Sequence, residues 1–308
     1  MKNTILGLHH ITAIAGNAKK NYDFYTGVLG LRLVKKTVNF DDPGTYHFYF
    51  GDEVGNPGSI LTFFPWEGIA AGSQGAGQAT EVVYAVPAGS LDFWRTRLEA
   101  HQIKFETGKR FDEDYMSFAD PDGLPLTLLV PKGTDGRTGW HTSDVATEVA
   151  IKGFHSVTLT LNRKEATQRV LELLGYTLTA QEGTRFRYVT EAIDTANILD
   201  IVEVNTPRGV NAAGTIHHIA FRVKDEEIQM AIREQIVKAG YQITPKIDRN
   251  YFYSLYFREP GGVLFEIATD NPGFATDESV NELGTHLMLP AQYEGNRARI
   301  EQGLPALS

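Results

Sequence analysis

The chain has 308 residues, 42% of them hydrophobic and 22% charged, with 29 Lys and Arg against 38 Asp and Glu for a net charge of −9. An acidic chain with no long Lys/Arg run excludes nucleic acid or an anionic membrane as the main partner; no stretch reaches the roughly 18 apolar residues of a membrane span, and the N-terminus lacks a signal peptide's apolar core, which points to the cytoplasm. There are no cysteines, so disulfides, thiolate metal sites and cysteine nucleophiles are excluded together, and a metal has to sit on imidazole and carboxylate groups.

At roughly 150 residues per domain the length predicts two domains. Read from the N-terminus, GLHHITAIA (7–15) alternates as a half-buried strand does, and NAKKNYDFYTGVLGL reads as a helix ending near Gly30. The β-like runs TYHFYFGD and GNPGSILTFFP follow. A second copy opens on TEVVYAV, has its helix at Asp92 to His101 and closes on YMSFADPDGLPLTLLV. The run KGTDGRTGWHTSDVATEVA is polar, Gly-bearing and aperiodic, and places a linker at 136–150. The third copy is GFHSVTLTLNRKEATQRVLELLGY with RFRYVT and NILDIVEV, and the fourth is TIHHIAFRV, DEEIQMAIREQIVKAGY and YFYSLYFREPGGVLFEIA. Gly30, Gly175 and Gly240 close three of the helices, where glycine relieves a left-handed exit turn. The unit is therefore βαβββ, repeated four times in an α+β chain. Modules one and two occupy 1–135, modules three and four 151–270, and a partly helical extension 271–308. Paired modules make incomplete barrels with concave ligand cups.

Side chains alternate across a strand, so parity decides which residues face a cup. In TIHHIAFRV, Ile219, Phe221 and Val223 form an apolar packing face that His217 shares, and His218 takes the other face. By the same reasoning His10 points inward with Thr12, and His9 stands behind it with Ile11. In module three His155 falls on the packing face and Ser156 takes the inward slot. The last strand of each module adds a third position, six residues beyond the turn proline. That position is Glu266 after Pro260, Thr127 after Pro121 and Phe63 after Pro57, with Asp200 or Ile201 nearest in module three. A carboxylate between Phe265 and Ile267 needs a cation or hydrogen-bonding partner. If modules one and four share a cup, His10, His218 and Glu266 form the two-histidine, one-carboxylate face that suits non-haem Fe(II), with Zn²⁺ also admitted by ligand type. The cup of modules two and three then carries no such set. His47 is placed either in the cup or against the helix.

The motifs GLHHIT, FYTGVLGL, the DPDG and EPGG turns and the terminal FE resemble the vicinal oxygen chelate superfamily, which includes glyoxalases and extradiol dioxygenases. More narrowly, GLHHITAIAGNA, YHFYF, GFHS, IHHIAF and DRNYFYSLYFREPGGVLFE resemble the ring-cleaving dioxygenases of the chlorohydroquinone 1,2-dioxygenase group. Catechol extradiol enzymes take their iron ligands from modules three and four, a pattern from which the register of His155 departs. The resemblance implies Fe(II) on His10, His218 and Glu266 and a small aromatic substrate with O₂; a homo-oligomer is one assembly the chain could adopt. It further implies that His9 and His217 tune proton movement, and that Arg249 and Tyr256 bind the substrate hydroxyl or a developing oxyanion. Arg249 also reads as a solvated turn residue and Tyr256 as a core tyrosine. A glyoxalase-like isomerase or lyase using another divalent metal, and a non-catalytic binding protein, are the competing readings.

Overall fold

The structure, a computed structural model, describes residues 4–307; residues 1–3 and 308, which belong to the expected first domain and extension, lie outside the described residues. Each module contributes four strands. Module one has β1 (Leu8–Ala15), β2 (Arg32–Asn39), β3 (Asp42–Gly51) and β4 (Ile60–Pro65). Module two has β5 (Gln78–Ala85), β6 (Phe105–Arg110), β7 (Glu113–Ala119) and β8 (Pro125–Leu129). Module three has β9 (Gly153–Leu161), β10 (Thr177–Glu182), β11 (Arg185–Val189) and β12 (Ile198–Glu203). Module four has β13 (Thr215–Val223), β14 (Ile247–Asp248), β15 (Phe252–Arg258) and β16 (Leu264–Pro272).

One helix follows the first strand of each module: α1 (Ala18–Asp23), which runs on into a π-helical turn at Phe24–Val28, then α2 (Leu91–Ala100), α3 (Glu165–Leu173) and α4 (Glu226–Lys238). Asp225 starts α4 by accepting the Ile228 N–H at 3.0 Å, and Glu226, Glu227 and Lys238 set its terminal charges along the helix dipole. Gly30, Gly175 and Gly240 do take positive φ at the helix exits. Among the described residues no helix is long and apolar enough to cross a membrane.

The strands form two eight-stranded sheets, each a curled half-barrel. The first has the order β14-β15-β16-β13-β1-β4-β3-β2 and the second β10-β11-β12-β9-β5-β8-β7-β6. Each sheet therefore takes one module from either half of the chain. Modules one and four meet through the antiparallel pair β1–β13, and modules two and three through β5–β9. Within a module the first strand pairs in parallel with the last, as β13 does with β16. The packing faces of both sheets share one apolar cluster that includes Ile11, Ile219, Phe221, Phe265, Val157 and Leu159. Gly7, at φ +79°, leads into β1, and a Cβ there would lie 2.4 Å from the Ala196 carbonyl oxygen. Substitution at Gly7 would push β1 off the other sheet's loop.

Two irregularities in the β1–β13 ladder matter for the site. Leu8 pairs with Phe221 and His10 with Ala220, so His9 is an extra residue on β1. Thr12 pairs with His218 and Ala13 with Ile216, so His217 is an extra residue on β13. Each histidine pair thus straddles a β-bulge, which re-aims side chains that strict alternation would send to opposite faces. The β5–β9 ladder repeats both bulges, at Thr80 and at His155.

Candidate metal centre

His10 on β1, His218 on β13 and Glu266 on β16 converge at the floor of the first cup, and each is at most 5% exposed. One ligand atom from each lies within 4.8 Å of the other two. Glu266 Oε2 is 2.9 Å from His218 Nε2 and 3.2 Å from His10 Nε2. Despite that proximity, Glu266 Oε2 and His218 Nε2 are buried without a hydrogen-bond partner. Lone pairs aimed at one point in a buried site fit a cation there, and two imidazoles with one carboxylate are a donor set for a divalent transition metal. Burial lowers the His218 pKa, so the ring is neutral near pH 7. Burial raises the Glu266 carboxyl, but His10 and His218 outweigh it and hold the group well below its usual range. These are the protonation states a metal ligand needs.

The second atoms of these ligands are also fixed. His10 Nδ1 meets His9 Nδ1 at 2.9 Å, and His218 Nδ1 meets His217 Nδ1 at 2.7 Å. The bulges make these contacts, so His9 and His217 are not simply on the packing face that parity gives them. His9 is 2% exposed, lies against Phe252 and hydrogen-bonds the Thr269 backbone, away from the cavity. His217 reaches the cavity wall beside Phe64, and burial and then His218 lower its pKa to about 3. Glu266 Oε1 accepts the hydroxyl of Ser254, which is fully buried on β15.

Above the ligands lies a cavity of about 250 Å³, the size of a single substituted ring. Tyr256 pairs across the sheet with Glu266 and is held in place by Arg249, whose guanidinium lies 5.5 Å from the Tyr256 ring centre. Burial and then Glu266 raise the Tyr256 pKa, keeping its proton on. Arg249 Nη1 in turn lies 3.5 Å from Asp41 Oδ2. His47 lies in the cup rather than against the helix. It bonds Thr62 at 2.9 Å and Tyr49 at 3.0 Å, and Thr62 donates to Thr12 at 2.9 Å. Phe64 and Trp66 complete an aromatic wall. The module-one counterpart of Glu266 is not Phe63, which packs on Tyr25 at 4.6 Å in the core. Strand β4 begins three residues after Pro57, whereas β16 begins four after Pro260, so Thr62 takes the inward position.

Among the described residues the second cup holds no such metal set, but it is not vacant. Its ladder register places Glu81, Ser156 and Asp200 where His10, His218 and Glu266 stand in the first cup. That register selects Asp200 over Ile201. Guanidinium groups fill the space between them. Arg110 grips Glu81 at 2.9 and 3.1 Å, Arg187 bonds Asp200 at 3.0 Å and Glu113 at 2.6 Å, and Arg185 lies 3.4 Å from Asp200 and 3.5 Å from Glu81. His155 bonds Ser156 at 3.0 Å and Glu113 at 3.3 Å, the place His217 holds in the other cup.

A curled-sheet fold of paired βαβββ modules, with a buried histidine–carboxylate set able to hold a metal, defines a glyoxalase-type fold. The Glyoxalase/Bleomycin resistance protein/Dioxygenase superfamily model matches residues 7–128 and 145–267, and the chain belongs to that superfamily. It is 48% identical over 305 residues to MhqO of Bacillus subtilis (strain 168), which is assigned by name to the ring-cleaving dioxygenases, covering 99% of this chain and 97% of that one. It is 38% identical to the chlorohydroquinone/hydroquinone 1,2-dioxygenase of Sphingobium indicum, covering 94% and 92%. A crystal structure from Bacillus subtilis, assigned by name to the dioxygenases, superposes with a TM-score of 0.96 at 48% identity, covering 99% and 98%. With full-length relatives of this kind, the chain is a ring-cleaving dioxygenase.

Proposed function

We propose that the chain binds Fe(II) on His10, His218 and Glu266 and opens the ring of hydroquinone-type aromatics with O₂. The observation that carries the reading is the meeting of Glu266 Oε2 with two imidazole Nε2 atoms at 2.9 and 3.2 Å, with buried lone pairs left unpaired. Fe(II) held by these three residues would bind a phenolate and O₂ and supply the electron transfer between them. The chain's own residues do the rest. Phe64, Trp66 and His47 offer ring faces that hold a flat substrate and keep water out. Tyr256, with its proton retained, donates to the substrate oxygen or to negative charge developing on it, and Arg249 holds Tyr256 in position. His9 and His217 fix the tautomers of the ligand histidines. The name of the Sphingobium relative supports a hydroquinone, and so does a cavity with room for one ring.

The test is oxygen uptake by Fe(II)-reconstituted protein with hydroquinone and with catechol. Uptake with hydroquinone that is lost in Glu266→Ala is expected. Uptake that survives Glu266→Ala, or that occurs with catechol alone, rejects the assignment.

A further inference from the structure

The extension beyond β16 lies outside the repeats; its start packs on Tyr251 of module four, and the rest runs along the β2–β3 hairpin, whose turn Asn39, Phe40 and Asp41 lines the substrate cavity. Strand β2 is the last of its sheet, so its outer edge has no neighbouring strand. The extension covers that edge. Leu287 bridges in parallel to Lys36, and Met288 N–H donates to the Lys36 carbonyl at 2.9 Å. Below the turn, Leu289 and Leu304 close over Val38 in an apolar cluster. At the turn itself the Tyr293 hydroxyl donates to the Phe40 carbonyl at 2.6 Å.

The far side of the hairpin is held differently. Across the cavity mouth Asp41 meets Arg249 of module four at 3.5 Å, with the Asp41 side chain 81% exposed. Trp66 donates to Asp42 at 2.9 Å on the remaining side. An exposed ion pair of that length is weakly held, whereas the Tyr293 bond stands on a packed apolar base. The wall is thus anchored firmly from beneath by the extension and loosely across its rim.

We infer that the C-terminal extension sets which substrates the cavity admits, with Tyr293 as a positioning residue that acts through Phe40 and Asp41 as the rim residue that acts through Arg249. This inference rests on the reading of the cavity as an aromatic-substrate site. Entry requires the Asp41–Arg249 rim to part, and the position to which the wall returns is fixed by Tyr293. A loosened anchor enlarges and softens the wall, weakening the grip on a small ring and reducing discrimination against ring-substituted quinols.

The experiment compares the parent with Tyr293→Phe, which keeps the ring and the apolar base, and with Asp41→Asn, an exposed change that leaves folding alone. Binding of 4-nitrophenol, followed by its absorbance, reads the cavity without turnover; KM and kcat for hydroquinone and a methyl-substituted hydroquinone read admission. Loss of one hydrogen bond predicts a Kd about fivefold weaker for Tyr293→Phe, a KM raised by a similar factor for hydroquinone, and kcat within about twofold. The KM ratio of substituted to unsubstituted substrate falls in both variants. Parent and Tyr293→Phe binding 4-nitrophenol equally, or a fall in kcat at unchanged KM, overturns the inference. A parent that binds no 4-nitrophenol overturns the aromatic-site reading and this inference with it.

Discussion

His217 and His218 meet nitrogen to nitrogen, Nδ1 to Nδ1, at 2.7 Å. Two such atoms share one proton, so the tautomer of one ring dictates that of the other. For His218 to offer a lone pair at Nε2 it must carry its proton on Nδ1, and His217 must accept it. His9 stands in the same relation to His10 at 2.9 Å. The leading histidine of each pair is therefore placed to act as an acceptor for the candidate ligand next to it. Replacing His217 by Phe removes the acceptor while filling the space, and a tenfold to 100-fold loss of metal affinity is expected. Titration with Fe(II) or Co(II) under anaerobic conditions measures it; an unchanged affinity would mean that His217 serves only the substrate.

Ser254 makes a parallel case for the carboxylate. Its buried hydroxyl takes up Glu266 Oε1 and leaves Oε2 to face the imidazoles. In Ser254→Ala the carboxylate can rotate, and metal affinity should drop about tenfold with little change in folding. Metal content after dialysis against a weak chelator, alongside the thermal midpoint, separates the two effects.

The second cup should behave as a structural element. Arg187→Met strips Glu113 of its 2.6 Å partner and takes a 3.0 Å partner from the fully buried Asp200. Removing one member of a buried charge network costs about 3–5 kcal/mol. Urea unfolding should register that loss while metal stoichiometry in the surviving folded protein stays the same. A variant of parental stability would show that the network contributes nothing net.

The same network predicts the acid limit of the fold. Burial tends to raise the Glu81 carboxyl, but Arg110 and Arg185 overcome it and bring the pKa to about 2, from an ordinary 4.5. Burial likewise opposes, and His155 and Arg187 outweigh it, in bringing Glu113 to about 2. Because the folded pKa values are depressed, the unfolded chain binds more protons between pH 4.5 and 2. The stabilisation is complete above 4.5 and is lost as pH falls toward 2, at most on the order of 3 kcal/mol per group. Unfolding midpoints at pH 7, 4 and 3 should decline, and Glu113→Gln should decline less steeply from a lower start.

Much of this was written plainly in the sequence. Alternation, with helix-closing glycines in three of them, delimits four modules because each unit obeys the same local rules; parity singles out His10 and His218, and the offset from the turn proline singles out Glu266. The bulges at His9 and His217 were not legible, since an inserted residue leaves no mark on a strand's alternation; only the partner strand reveals it. Glu81 was hidden for a related reason. In TEVVYAV it looks like a solvated strand residue until Arg110 arrives from another strand of its own module and Arg185 from module three. Ser254 could have been found, because it sits two residues from Tyr256 and shares its face of β15. The β4 position was misplaced by one because a turn length, not a side chain, sets that register.

The sheet order has a consequence for how the protein is made. His10 lies on the first strand of the chain and Glu266 on the last, and β1 has no β13 to pair with until the fourth module exists. At ~5–20 residues per second, His10 leaves the ribosome on the order of ten seconds or more before Glu266 is synthesised. During that interval the nascent chain exposes a bare strand edge bearing two histidines and no complete ligand set. Completion of the His10–His218–Glu266 set is thus a terminal event of biosynthesis, and a chain stalled or clipped before module four is a hazard for mispairing rather than a weaker enzyme.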